Sequence, residues 1–201
     1  LFFLMKTRLL LLAVVAITAV LSSNIVYASH YSGYRWFLPY TDICYDSYSL
    51  TRVNIDGSTN RYSLVASEIN QARNSWNNAP SIFTINYSNS GLCHNWVTAG
   101  YNPGGAWLAI TNPSYQFGYL SDTDIEINSA WPFYSNTCSQ TPGSVRYVLD
   151  YVMRHEFGHV VEFVDVYVYT NPVSTMYFMY DCNRWNTIKS YDSNELSSIY
   201  G

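Results

Sequence analysis

His155-Glu156-Phe157-Gly158-His159 sets two imidazoles four residues apart with a carboxylate between them. On a helix, side chains at i and i+4 project from one face, so both rings can reach one metal ion. Zinc accepts imidazole nitrogen at ~2.0–2.1 Å, and its catalytic sites keep one position open beside three protein ligands. Glu156 adjoins the first imidazole without being a ligand. A carboxylate so placed can take a proton from a water as that water attacks a carbonyl. The bland alternative is a surface helix that merely carries two histidines. The chain has 4 histidines in all, and the other two, His30 and His94, read as loop residues.

The elements that must position this motif follow from hydrophobic spacing. Val148, Val152, His155 and His159 share a face, which predicts a helix over 145–161. Thr141-Pro142-Gly143-Ser144 is a break that can cap it. Val65, Ile69, Ala72 and Trp76 form the stripe of a second helix over 63–77, with Ser63 as N-cap and Pro80 as stop. Residues 192–200 read as a short closing helix. Residues 82–87 and 106–111 read as strands, 91–105 as loop, and 122–128 (DTDIEIN) as a half-exposed edge strand. Strands between two long helices predict an α+β or α/β domain.

Composition bounds the rest. Lys6 and Arg8, the apolar run Leu9–Leu21 and Val26-Tyr27-Ala28 read as an export signal over 1–28, starting at Met5. Residues 29–201 then form the mature domain, with no membrane span after cleavage. The net charge is −4, and losing Lys6 and Arg8 makes the mature chain more acidic. No basic patch exists, so nucleic acid is excluded as a partner. The 4 cysteines of an exported chain point to two disulfides, and no C-x-x-C pair suggests a thiolate metal site. Three pairings are open. The one favoured joins Cys44 to Cys93 and Cys138 to Cys182, the latter tying the segment before the active helix to the loop after it.

A third ligand comes from resemblance. HEFGHVVEFVD (155–165) followed by VSTMY (173–177) resembles the metzincin metallopeptidases, and within them the matrixins. Their pattern is H-E-x-x-H-x-x-G-x-x-H with a methionine turn beneath the metal. Asp165 stands at the third histidine, as in the snapalysin branch, and Met176 at the turn. INQARNSWN (69–77), DTDIEIN and SNELSSIYG (193–201) resemble the first matrixin helix, the strand edging the cleft and the terminal helix. The resemblance implies a metzincin-like α+β domain: a twisted mixed sheet, an active-site helix and a C-terminal helix. It implies a secreted zinc endopeptidase with Glu156 as general base and His155, His159 and Asp165 as ligands. A peptide substrate would pair along 122–128, and Tyr177, Phe178 and Tyr180 would wall a side-chain pocket. No propeptide cysteine and no histidines for a second, structural zinc are visible.

Glu162 replaces the glycine of the pattern, where the chain must reverse. A positive φ there costs a non-glycine residue ~1–2 kcal/mol. If instead the helix ran on, Glu162 would lie too far along it to converge with both histidines, so it is expected beyond the ligand shell or facing solvent. Asn194-Glu195 faintly resembles the downstream pair of the gluzincins, with Glu195 as the alternative third ligand. Calcium near Asp122 and Asp124 competes with plain solvated carboxylates. A binding module on a protease fold and a hydrolase of non-peptide amides are the competing functions. Nothing requires an oligomer.

Overall fold

A computed structural model describes residues 31–167 and 173–201. The expected export signal and His30 lie outside the described residues. Among the described residues, seven strands and four helices follow in chain order: β1 Tyr40–Tyr45, α1 Ser47–Leu50, α2 Tyr62–Asn77, β2 Thr84–Tyr87, β3 Asn95–Gly100, β4 Ala109–Gln116, β5 Tyr119–Asn128, β6 Phe133–Tyr134, β7 Tyr147–Val148, α3 Leu149–Val160 and α4 Ser190–Tyr200. The main sheet has the order β2-β1-β3-β5-β4. Its neighbours are parallel except β4, which runs antiparallel to β5. The sheet is therefore mixed, consistent with an α+β arrangement. No described helix is long and apolar enough to cross a membrane.

The predicted stripe of α2 is the core face: Val65, Ile69, Ala72 and Trp76 are all buried. Ser63 does not cap this helix; the N-cap is Arg61, which makes no side-chain cap hydrogen bond. Trp76 bridges to the helix that carries the HEFGH motif, its Nε1–H donating to Arg154 O at 2.7 Å. Helix α3 begins at Leu149 rather than 145, because residues 147–148 pair with β6 as β7. The break at 141–144 therefore leads into a strand, and the N-cap of α3 is Val148.

Two expectations about the sheet are corrected. Residues 91–105 are not all loop: β3 lies inside them, at the centre of the sheet. Its hydrogen-bonding partners, β1 and β5, are both distant in sequence, so local composition carries little of its signal. Asn95 stitches three strands, donating to Thr41 Oγ1 and Asp42 O and accepting from Thr123 N–H. Second, 122–128 is not an edge. β5 is paired on both sides, and the edge strands are β4 and β2. Pro113 sits in β4 opposite Thr123, as suits an edge strand, since proline cannot donate to a ladder.

The disulfides are Cys44–Cys93 and Cys138–Cys182, with Cα–Cα distances of 5.7 and 5.8 Å. The first closes β1 onto the approach to β3. The second ties the segment before β7 and α3 to the loop between Met176 and α4.

Candidate metal centre

Helix α3 is buried almost all round, polar residues included: Asp150, Arg154, His155 and Glu156 are each no more than 8% exposed. A helix can bury such groups only if each finds a partner. Arg154 pairs with Asp150 at 2.5 Å and donates to Ser75 Oγ and Trp185 O. Trp185 in turn lies flat against His155, with ring centroids 4.2 Å apart and planes 18° from parallel. Glu156 accepts a hydrogen bond from Thr111 Oγ1 at 2.7 Å. The edge strand thus holds the carboxylate beside the first imidazole.

Both histidines are oriented through Nδ1. His155 Nδ1 lies 3.0 Å from Thr175 O, and His159 Nδ1 lies 2.7 Å from Phe163 O. A carbonyl oxygen only accepts, so each Nδ1 must carry the hydrogen. In the neutral ring that leaves a lone pair on each Nε2. Those lone pairs face Asp165 Oδ1, at 3.1 Å from His155 and 3.6 Å from His159. Oδ1 is buried and has no hydrogen-bond donor. Three acceptors pointing at one another are unfavourable unless a cation or a proton lies among them. The donor set therefore fits a metal ion, and one ligand atom from each of the three residues lies within 4.8 Å of the others.

The electrostatics express the same demand. Burial pushes the His155 pKa down, but hydrogen bonding to Asp165 on protonation and the charge of Glu156 outweigh it, and the net direction is up. His159 is held below its usual value by burial and then by the charge of His155. Burial raises Asp165, yet the hydrogen bond that a protonated His155 would donate and the charge of His159 leave it below the ordinary carboxylate range.

Asp165 reaches this position through a chain reversal. Helix α3 ends at Val160, and Glu162 takes φ +83°. The Phe163 N–H bonds to Gly158 O and the Glu162 N–H to His159 O, each at 3.0 Å. This is the Schellman helix ending, whose left-handed position is usually glycine. Glu162 is 3% exposed, so the expectation that it could face solvent is corrected; its carboxylate accepts from Ser32 Oγ at 2.6 Å.

Met176 is fully buried, with its sulfur against Gly158 of the motif helix. A Cβ on Gly158 would run into Met176 Sδ and crowd Trp76, so a larger residue there would have to displace the methionine side chain. The methionine turn is held by buried Asp192 of α4, which accepts from Ser174 Oγ at 2.7 Å and Thr175 N–H at 2.6 Å. The Val166 N–H bonds to Met176 O at 2.7 Å, tying the ligand turn to the methionine turn.

A cleft of about 910 Å³ opens over the centre, with Thr111, Pro113 and Tyr115 of β4 on one wall and Phe178 and Tyr180 on another. Tyr180 is wedged in place by Val148 N–H, which donates to its hydroxyl at 2.8 Å. Tyr177 does not line the cleft; its ring packs under the Arg184 guanidinium, 4.6 Å away. Glu195 stands outside the ligand group and accepts from Tyr31 N–H at 3.2 Å, so it is not brought to the histidines. Asp122 and Asp124 gain no third ligand side chain among the described residues, and Asp124 accepts from Trp96 N–H instead. Thr111, Trp185 and Asp192 were not legible as site residues, because no motif marks them. A scan against protein-family models finds no match for this chain, and a search of curated proteins finds no relative.

Proposed function

We propose that this chain is a secreted zinc-dependent endopeptidase of the metzincin class, matrixin-like, with His155, His159 and Asp165 as metal ligands and Glu156 as general base. One observation carries the reading. Two histidine Nε2 lone pairs and an unsatisfied carboxylate oxygen converge beside a glutamate that is fixed by an exposed sheet edge. The two disulfides accord with an oxidising, extracellular setting. Imidazole nitrogen and carboxylate oxygen suit zinc, and three protein ligands leave a position open.

Zinc bound there would act as a Lewis acid on the scissile carbonyl and lower the pKa of a water to ~7. The chain's own residues do the rest. β4, the edge strand that lines the cleft, can accept an extended peptide as an added strand, up to Pro113. Glu156 takes the proton from the attacking water and delivers it to the leaving amine. Thr111 keeps the Glu156 carboxylate aimed during both transfers. The two backbone carbonyls hold the imidazoles in the tautomer that presents Nε2, and Trp185 packs flat against the His155 ring.

Zinc content and casein cleavage, measured on wild type beside Asp165→Ala and Glu195→Ala, test this. Asp165→Ala should lose both metal and activity, and Glu195→Ala should keep both. Wild type that holds zinc but cuts neither unfolded proteins nor small amides would instead be a binding module. Wild type that holds no zinc would end the proposal.

A further inference from the structure

Glu162 occupies a backbone position that favours glycine, at φ +83°, yet its side chain is buried. Backbone conformation alone would make glycine the better residue there. Something must offset the strain, and the surroundings identify it. Ser32 Oγ donates to Glu162 Oε2 at 2.6 Å, and Ser32 N–H donates to Glu162 O at 2.9 Å. Tyr31 forms an antiparallel bridge with Phe163. Further along the same segment, Trp36 Nε1–H donates to Val160 O at 2.8 Å. The stretch 31–36 therefore straps the end of α3 and the turn that follows it, contacting residues on both sides of Glu162.

That turn delivers two features of the metal centre. Phe163 O orients His159 through Nδ1, and Asp165 lies two residues further on. We propose that Glu162 and Ser32 are positioning residues for the third ligand: their paired hydrogen bonds lock the chain reversal so that Phe163 O and Asp165 Oδ1 meet the histidines. The proposal rests on the reading of Asp165 as a ligand. It accounts for a glutamate at a glycine position, which the ligand set alone leaves without a reason.

The test compares Glu162→Gly, Glu162→Gln and Ser32→Ala with wild type, in two measurements. The first is zinc affinity, by competition with a chromophoric chelator. The second is amide hydrogen exchange over 162–167 in chelator-treated protein, which needs no metal. Glu162→Gly should exchange faster over the turn and bind zinc about tenfold more weakly, as loss of a group that orients a ligand typically does. Glu162→Gln keeps an acceptor for Ser32 and should stay within about twofold of wild type, whereas Ser32→Ala should shift in the same direction as Glu162→Gly by a smaller factor. If Glu162→Gly binds zinc as tightly as wild type and protects the turn as well or better, the strap does not position the ligand and the proposal is overturned. If wild type binds no zinc, the function proposed above fails, while faster exchange in Glu162→Gly with rescue in Glu162→Gln would still support the lock and unchanged exchange would refute it.

Discussion

Helices α2 and α3 lie side by side and are buried in opposite ways. Helix α2 turns one apolar stripe inward, with Glu68 the single charged residue buried beside it, and leaves polar residues such as Gln71 outside. Helix α3 is enclosed on nearly every side and buries a cation, two carboxylates and a histidine within seven residues, Asp150 to Glu156. An apolar stripe needs only apolar surface to meet it, and many sequences supply that. Each buried polar group needs its own partner at a set distance and angle. So α2 contributes stability through area, and α3 contributes a site through specific contacts from Ser75, Thr111, Thr175 and Trp185.

The contrast can be broken at several points. Glu156→Ala should lower kcat/KM by about 10²–10⁴-fold, the usual worth of a general base. It should retain zinc, since Glu156 is not in the ligand group, and casein turnover with metal analysis checks both. Trp76→Ala, on the apolar stripe, should cost about 3–5 kcal/mol of stability. Its loss also frees Arg154 O, so a urea melt should show a drop beyond that of Val65→Ala on the same face. Asp150→Ala should cost a similar ~3–5 kcal/mol, because it leaves the buried Arg154 guanidinium without its carboxylate. A drop below about 1 kcal/mol would mean that α3 tolerates unpaired charge and needs no specific partner for it.

Where the helices meet, Glu68 of α2 tests the interface between the two modes. Burial, then the charge of Asp150, raises its pKa from 4.5 to about 7. The folded chain therefore keeps a proton on Glu68 that the unfolded chain has released. Stability from this group is full below pH 4.5 and falls as the pH rises to about 7. Glu68→Gln removes that slope. Relative to wild type it should gain about 2–3 kcal/mol between pH 5 and pH 8, read from urea midpoints, with Glu162 titrating alike in both proteins. The smallest effect is expected at Thr111→Val. Loss of one hydrogen bond to Glu156 should lower kcat about tenfold or less with zinc content unchanged.

Much of the site was legible along the chain because it is local. The histidine pair is one helical turn, whereas Asp165 and Met176 were marked only by a family resemblance over 155–177. The stripe of α2 was equally legible, since period 3.6 is written in consecutive residues. The cysteine pairing was favoured rather than forced. The edge of the sheet was misplaced, because alternation in 122–128 says that two faces differ and says nothing about which strands lie beside it. β3 escaped notice for a related reason: its partners lie some 50 residues before it and 28 after, as Cys44 opposite Trp96 and Glu126 opposite Thr98 show.

By itself the sequence determined the donor types and the spacing of the two histidines on one helix face. These depend on backbone geometry over a few residues, which local sequence controls. Only the tertiary structure decided that Thr111 aims Glu156, that Trp185 stacks on His155, that Asp192 holds the methionine turn and that Ser32 locks Glu162. Those contacts join residues 18 to 130 positions apart. Their existence depends on how separate elements pack, and no local pattern encodes the distance between two side chains that meet only when the core closes.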